Sequence, residues 1–417
     1  MRDFLGYVLT LTQAATIGSI ATLLDSGDQA AMKGESFDFL SFEVKHLRTT
    51  CQQLQISEEA VESLRPCTPV QNGMLAMFSN SHGDMYFNQM RLMPLEPLNT
   101  QRLREAWFKV MTKHEILRTG FVQLQDPTHP FAMITYRDGA SKLPWYETTG
   151  SISTAAVPQK AEGVLKNLHL PPWYVIAESS DSTTVLQFSA LHTIYDAQSL
   201  HLILGDVVEA YRGENFGEPV SINATLEPIL VQSFIKSDKT EIFWKELSKD
   251  IQPSKFPDLQ PVRTEKKELL VNSILSTKPR KALDDGCQRI GTTLQAAGQA
   301  AWARLLSAYV GEPSVVFGVV SSGRNLSTAA QEAVFPCLVT VPSPCKIIGT
   351  NRELLADILK RSASLVNHQF TPLPKIQRWL KSDEGLFDTL FVYQKFSSQK
   401  RDAEFWNIVD DDVRIDV

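Results

Sequence analysis

The chain alternates between two hydrophobic periods, and the sharpest switch between them falls near its middle. Residues 184–192, Thr-Val-Leu-Gln-Phe-Ser-Ala-Leu-His, form an uncharged, β-prone run. Immediately after it Leu200, Ile203, Leu204, Val207, Val208 and Tyr211 recur at spacings of three and four, the stripe of a half-buried helix. The same reading predicts a helix near 70–78, a strand near 86–93, and a helix opened by Asn99 or Thr100. That last helix carries Leu103, Ala106, Trp107, Val110 and Met111 on one stripe, with His114 one turn on as a packed helix-end residue. Further along, the pattern predicts a helix over 241–247, a proline-punctuated connection over 252–261 and a strand over 266–276. Thr292 or Thr293 caps a long helix bearing Leu294, Ala297, Ala301, Trp302, Leu305, Leu306 and Tyr309, followed by a buried strand over 314–320 and a central strand over 386–394. Residues 25–64 are polar and weakly periodic, and read as a linker with one short helix.

This alternation describes an α/β chain, and at 417 residues it is long enough for two or three domains. A net charge of −6 with no dense Lys/Arg stripe argues against nucleic acid as a partner. Residues 4–24 carry no charge, but Thr10, Thr12, Gln13, Thr16 and Ser19 dilute them too much for a membrane span. Arg2 followed by the apolar 4–11 run leaves a signal-peptide reading open. Five scattered cysteines, with no C-x-x-C pair and no histidine at zinc-ligand spacing, fit a reducing, cytoplasmic setting and give no metal site. No Gly-x-Gly-x-x-Gly or P-loop run is present to cradle a nucleotide's phosphates.

The candidate chemistry lies where the two periods meet. His192 stands at a strand-to-helix turn, four residues before Asp196. An imidazole there suits proton transfer. Equally, His192 reads as an ordinary strand-end residue and Asp196 as the cap of the helix beginning near Ala197.

The stretch Ala190-Leu-His-Thr-Ile-Tyr-Asp-Ala197 resembles the His-His-x-x-x-Asp-Gly signature of nonribosomal peptide synthetase condensation domains. Other segments match that family in its order. Arg65-Pro-Cys-Thr-Pro-Val-Gln-Asn-Gly-Met-Leu75 looks like its opening segment, and Lys113-His-Glu-Ile-Leu-Arg-Thr-Gly-Phe121 is similar to its Arg-His-Glu-x-Leu-Arg-Thr-x-Phe motif. Phe335-Pro-Cys-Leu-Val-Thr-Val-Pro342 is a degraded Gly-x-x-x-Asn-Thr-x-Pro segment, and His368-Gln-Phe-Thr-Pro-Leu373 and Phe387-Asp-Thr-Leu-Phe391 resemble later ones. Leu191, Ala197, Phe335 and Val339 depart from the pattern.

The resemblance implies an α/β (α+β) fold of two chloramphenicol-acetyltransferase-like lobes in a V-shaped pseudo-dimer, each a mixed sheet with flanking helices. The lobes would occupy 65–225 and 226–417, the second truncated; residues 25–64 would be a linker, and 1–24 would resemble the closing helix of a peptidyl carrier domain. It also implies His192 as the catalytic residue, Asp196 as the residue shaping its loop, and Arg118 as the brace that pairs with Asp196. The implied reaction joins a carrier-bound acyl or peptidyl thioester to a carrier-bound aminoacyl acceptor. No cofactor or metal would be bound by the domain itself, because phosphopantetheine belongs to the donor and acceptor peptidyl carrier domains. The same synthetase would contribute adenylation domains. The variant histidine motif and the Leu-Phe-Asp-Thr-Leu-Phe segment look most similar to fungal synthetases of hydroxamate, ferrichrome-type siderophores. Two alternatives stay open. One is a catalytically silent docking or gating domain; the other is a free-standing coenzyme A-dependent acyltransferase, which would share His-x-x-x-Asp but whose family's Asp-Phe-Gly-Trp-Gly segment is missing here.

Overall fold

The computed structural model describes residues 36–149, 160–179, 184–214, 217–234, 238–247, 249, 253, 255–256, 276–382, 385–394 and 405–409. The readings made for 1–24 and for nearly all of 252–261 and 266–276 lie outside these residues. In chain order the elements begin with helix α1 (Phe39–Leu54), strand β1 (Val61–Pro66), α2 (Pro69–Asn80), β2 (Phe87–Pro94), α3 (Thr100–Lys113), β3 (Thr119–Gln123), β4 (Phe131–Tyr136) and β5 (Trp145–Thr149). Next come α4 (Lys160–Lys166), β6 (Trp173–Ser179), β7 (Thr184–Leu191), α5 (Ala197–Arg212), α6 (Ile222–Phe234), α7 (Asp238–Leu247), α8 (Arg280–Arg289) and α9 (Leu294–Val310). The last are β8 (Ser314–Ser321), α10 (Thr328–Glu332), β9 (Val339–Lys346), α11 (Asn351–Leu365), α12 (Leu373–Leu380), β10 (Leu390–Val392) and β11 (Trp406–Val409).

The chain divides into two compact units. Of the described residues, one takes those within 36–234, 322–338 and 405–409; the other takes those within 238–321 and 339–394. The boundary expected at 225/226 would cut through α6, and the observed one follows that helix. The later half of the chain is also not a single block, because two of its stretches join the first unit. Tertiary exchange of this kind leaves no local mark in a sequence.

In the first unit a five-stranded sheet has the order β11-β2-β7-β6-β5, antiparallel except for the parallel β5–β6 pair. The apolar stripe expected for α3 is buried along its whole length, and Trp107 stacks on Phe188 of β7 with ring centroids 5.4 Å apart. Beside it, β1-β4-β3 form a small antiparallel sheet. The stretch read as a linker departs most from expectation. Residues 39–54 are a 16-residue helix, capped by the Asp38 carboxylate, that buries Phe42 and Cys51 against Val61, Leu64, Val122, Ala132 and Ile134. Its apolar stripe is narrow and broken by charges, so periodicity alone understated it.

The second unit is built on the antiparallel β8–β9 pair, with β10 added in parallel. Thr293 caps α9 as expected, its side chain accepting from Ala296 N, and Gly311 ends the helix at φ 78°. Among the described residues the strand expected to be central is instead short, β10, and stands at the edge in the order β10-β8-β9. Among the described residues no helix is long and apolar enough to cross a membrane.

Candidate active site

His192 follows the last residue of β7, and the turn 192–196 connects that strand to α5. The strand's register sets the position: β7 pairs antiparallel with β2 from Leu186 to Leu191, so His192 emerges just beyond the last rung. There His192 N–H donates to the Tyr86 carbonyl at 2.8 Å. Tyr86 holds φ at 64°, the left-handed region that is costly for a residue with a side chain.

The imidazole is half-buried, and its Nδ1 lies 2.9 Å from the Tyr195 carbonyl oxygen. A carbonyl only accepts, so Nδ1 carries the proton in the neutral ring and the lone pair resides on Nε2. Two more contacts hold the turn. Gln71 donates from Nε2 to the Thr193 carbonyl at 2.9 Å, while its Oε1 accepts from Thr68 N and completes the capping box that opens α2. Asn88 donates from Nδ2 to the Tyr195 hydroxyl at 2.7 Å.

Asp196 is both the cap of α5, as its place in the sequence predicts, and the centre of a buried ion pair. Its Oδ1 accepts from Ser199 N at 2.8 Å and from Arg324 Nη2 at 2.6 Å; its Oδ2 accepts from Arg324 Nε at 3.2 Å and from Cys337 N at 3.0 Å. Arg324 is itself used on every side, donating from Nη1 to the Ala330 and Ala333 carbonyls and from Nη2 to the Phe335 carbonyl. Burial by itself raises the Asp196 carboxyl, but the Arg324 charge and the surrounding N–H donors outweigh it and hold the group below the ordinary carboxylate range. The pair joins the histidine turn to the 324–337 segment, from which Cys337 contributes its backbone and not its thiol. Burial pushes the Cys337 and Cys345 thiols up to about 12, so neither is a nucleophile near neutral pH.

Arg118 does not brace Asp196. It donates from Nη1 to Glu62 Oε2 at 2.5 Å and to the Tyr136 carbonyl, and so ties the end of its 3-10 turn to β1 and β4. A buried carboxylate needs a guanidinium, and Arg324 meets that demand from 128 residues away. The only local cue was a Gly323-Arg324 pair just past β8, which does not single itself out. Gln71 was legible as the fourth residue of a Thr-x-x-Gln capping box, whereas Asn88 and Tyr195 gave no signal. His114 is the buried end of α3, its Nε2 lying 2.6 Å from Asp206 Oδ2 of α5, with Lys113 Nζ 2.8 Å from the same oxygen. Among the described residues no three His, Cys, Asp or Glu side chains are grouped to hold a metal ion.

The Condensation domain family profile matches residues 61–417. The chain belongs to the condensation-domain family. A nonribosomal peptide synthetase of Arthroderma benhamiae, sidC, is 41% identical to this condensation domain over 409 residues, covering 96% of the chain and 8% of that protein. A hydroxamate-type ferrichrome siderophore peptide synthetase of Schizosaccharomyces pombe is 28% identical over 345 residues, covering 80% of the chain and 7% of that protein. The condensation domain therefore spans less than about a tenth of these relatives. In fold it is similar to the condensation domain of the Monacolin K polyketide synthase MokA, with a TM-score of 0.64 at 14% identity, covering 85% of this chain and 86% of that one. The architecture is the mixed α/β, chloramphenicol-acetyltransferase-like one expected from the sequence.

Proposed function

We propose that this condensation domain joins two carrier-bound substrates within a nonribosomal peptide synthetase, with His192 as the catalytic residue. The acceptor amine, held on the phosphopantetheine arm of one peptidyl carrier domain, attacks the carbonyl carbon of the acyl or peptidyl thioester held on another. A C–N bond forms, the C–S bond breaks, and the thiol of the donor arm leaves with the proton lost by the amine. A hydroxyl acceptor would give an ester by the same route. The thioester is already activated, so the domain's work is alignment and the handling of one proton. His192 Nε2 accepts that proton, and Asp196 with Arg324 keeps the turn in shape. The amino acids are loaded by adenylation domains of the same synthetase.

The observation that carries this reading is the tie between Nδ1 of His192 and the Tyr195 carbonyl, which directs the basic lone pair to Nε2. The departures from the family pattern do not remove it. Leu191 and Phe335 are fully buried, Val339 is buried at the start of β9, and Ala197 is the first residue of α5; none adopts a positive φ. The name of the Schizosaccharomyces pombe relative supports a hydroxamate siderophore as the product, and five free cysteines fit a cytoplasmic setting.

The test loads donor and acceptor carriers and follows the condensed product by mass spectrometry. His192→Gln should lower the rate about 10²-fold or more with the fold intact. An unchanged rate, or carrier binding without product in the wild type, refutes the catalytic reading.

A further inference from the structure

Asn88 lies in β2 directly opposite Ala190 of β7, two residues before His192. It is fully buried, a costly place for an amide unless its hydrogen bonds are used. Its Nδ2 donates to the hydroxyl of Tyr195, a residue 4% exposed. The Tyr195 ring lies 4.8 Å from the His192 ring, tilted by 33°, and meets Phe188 edge-on at 6.5 Å. The Tyr195 carbonyl accepts from His192 Nδ1. One residue thus holds the imidazole twice, by ring contact and by hydrogen bond, and its far end is anchored to the sheet. With the hydroxyl held, the ring cannot swing without breaking a buried hydrogen bond, and the Cα that carries it, next to the carbonyl on Nδ1, is held with it.

We propose that Asn88 is a positioning residue for His192, acting through Tyr195. By pinning the Tyr195 hydroxyl it keeps the Tyr195 carbonyl on Nδ1 and the neutral imidazole in its Nδ1–H form. The consequence for catalysis, a lone pair kept on Nε2, rests on the catalytic reading of His192.

The experiment labels histidine with 15N in the full chain and reads the tautomer from long-range 1H–15N correlations, the His192 signal being assigned by its loss in His192→Gln. Wild type should show neutral His192 in the Nδ1–H form. In Asn88→Leu and in Tyr195→Phe the signal should move toward a mixture with the Nε2–H form. With loaded carriers, kcat should fall about tenfold, part of the roughly 10²–10⁴-fold that a positioned base supplies, while KM for the acceptor carrier stays within about twofold. The double variant, which removes both ends of the bond, should be no slower than either single one. Should Asn88→Leu fail to fold, Tyr195→Phe, which deletes one oxygen atom, decides the matter. A wild-type His192 in the Nε2–H form overturns the proposal. So does an unchanged tautomer in single variants that melt as cooperatively as wild type. The spectrum is read without turnover, so the two readings separate. A tautomer shift with kcat unchanged upholds the positioning link and removes His192 from catalysis; an unchanged tautomer beside a slow His192→Gln removes the positioning link alone.

Discussion

Replacing Arg324 with methionine, Arg324→Met, isolates the interaction that ties the histidine turn to the 324–337 segment. Both partners are buried, with side-chain exposures of 7% for Arg324 and 8% for Asp196. Removing the guanidinium leaves Asp196 with donors only from Ser199 and Cys337, and strips the Ala330, Ala333 and Phe335 carbonyls of the Arg324 donors. Breaking one side of such a pair costs about 3–5 kcal/mol near neutral pH, most of it the burden of an uncompensated buried charge. The pH dependence follows from the direction of each shift. In the wild type the folded Asp196 titrates below its ordinary value, so its contribution to stability is full above the unfolded-state pKa of about 3.9 and is lost as pH falls through the lower folded value. In Arg324→Met burial dominates and the folded pKa rises above the unfolded one. The variant is then least handicapped where the carboxyl is protonated, and loses stability as pH rises through that raised value. Urea unfolding followed by tryptophan fluorescence, at about pH 7.5 and about pH 5, should therefore show a smaller gap from wild type at the lower pH. Adding Asp196→Asn to Arg324→Met should recover at least about 1 kcal/mol at neutral pH by removing the orphaned charge. A gap under about 1 kcal/mol, or one equal at both pH values, would refute the argument that this pair is what makes the buried carboxylate tolerable.

Other substitutions test the neighbouring assignments. Arg118→Ala should cost about 1–3 kcal/mol through its lost bonds to Glu62 and Tyr136, but the condensation rate per folded molecule should stay near wild type, because Arg118 does not touch Asp196; comparing urea midpoints with rates checks both parts. For Asp206, burial raises the carboxyl but hydrogen bonds from His114 and Lys113 outweigh it and hold it low, so Asp206→Asn should destabilise by about 1–3 kcal/mol at neutral pH. That loss should shrink as pH falls into the carboxylate range, which unfolding curves at several pH values would show. Gly120→Ala should be severe, because a Cβ there would sit 1.9 Å from the His169 carbonyl oxygen, and backbone can yield only by shifting. A loss of about 3 kcal/mol or more, seen as poor soluble yield and an earlier melting transition, is expected; a wild-type melt would show that the β3 approach is looser than described.

What the sequence determined by itself was whatever depends on near neighbours. The three-and-four spacing from Leu200 to Tyr211, the stripe of α3, the Thr293 cap and the uncharged run before His192 each set a local conformation through burial period or capping chemistry, and each became the expected element. The position of His192 at a strand-to-helix turn followed from the same logic, as did the capping role of Asp196. The motif likeness supplied the family and, with it, the fold. What only the tertiary structure decided was which distant groups meet. That Asp196 needs a guanidinium follows from the cost of a buried charge. That Arg324 supplies it, and not Arg118, depends on the chain returning to the first unit after β8, which no local periodicity encodes. The same holds for α1, whose two buried anchors Phe42 and Cys51 became a core face only once β1 and β4 were there to cover, and for β10, which among the described strands pairs with β8 alone. Asn88 and Tyr195 are the clearest case. Neither stands out in the sequence, and they meet because antiparallel pairing of β2 with β7 brings an amide 107 positions away onto a tyrosine hydroxyl beside His192.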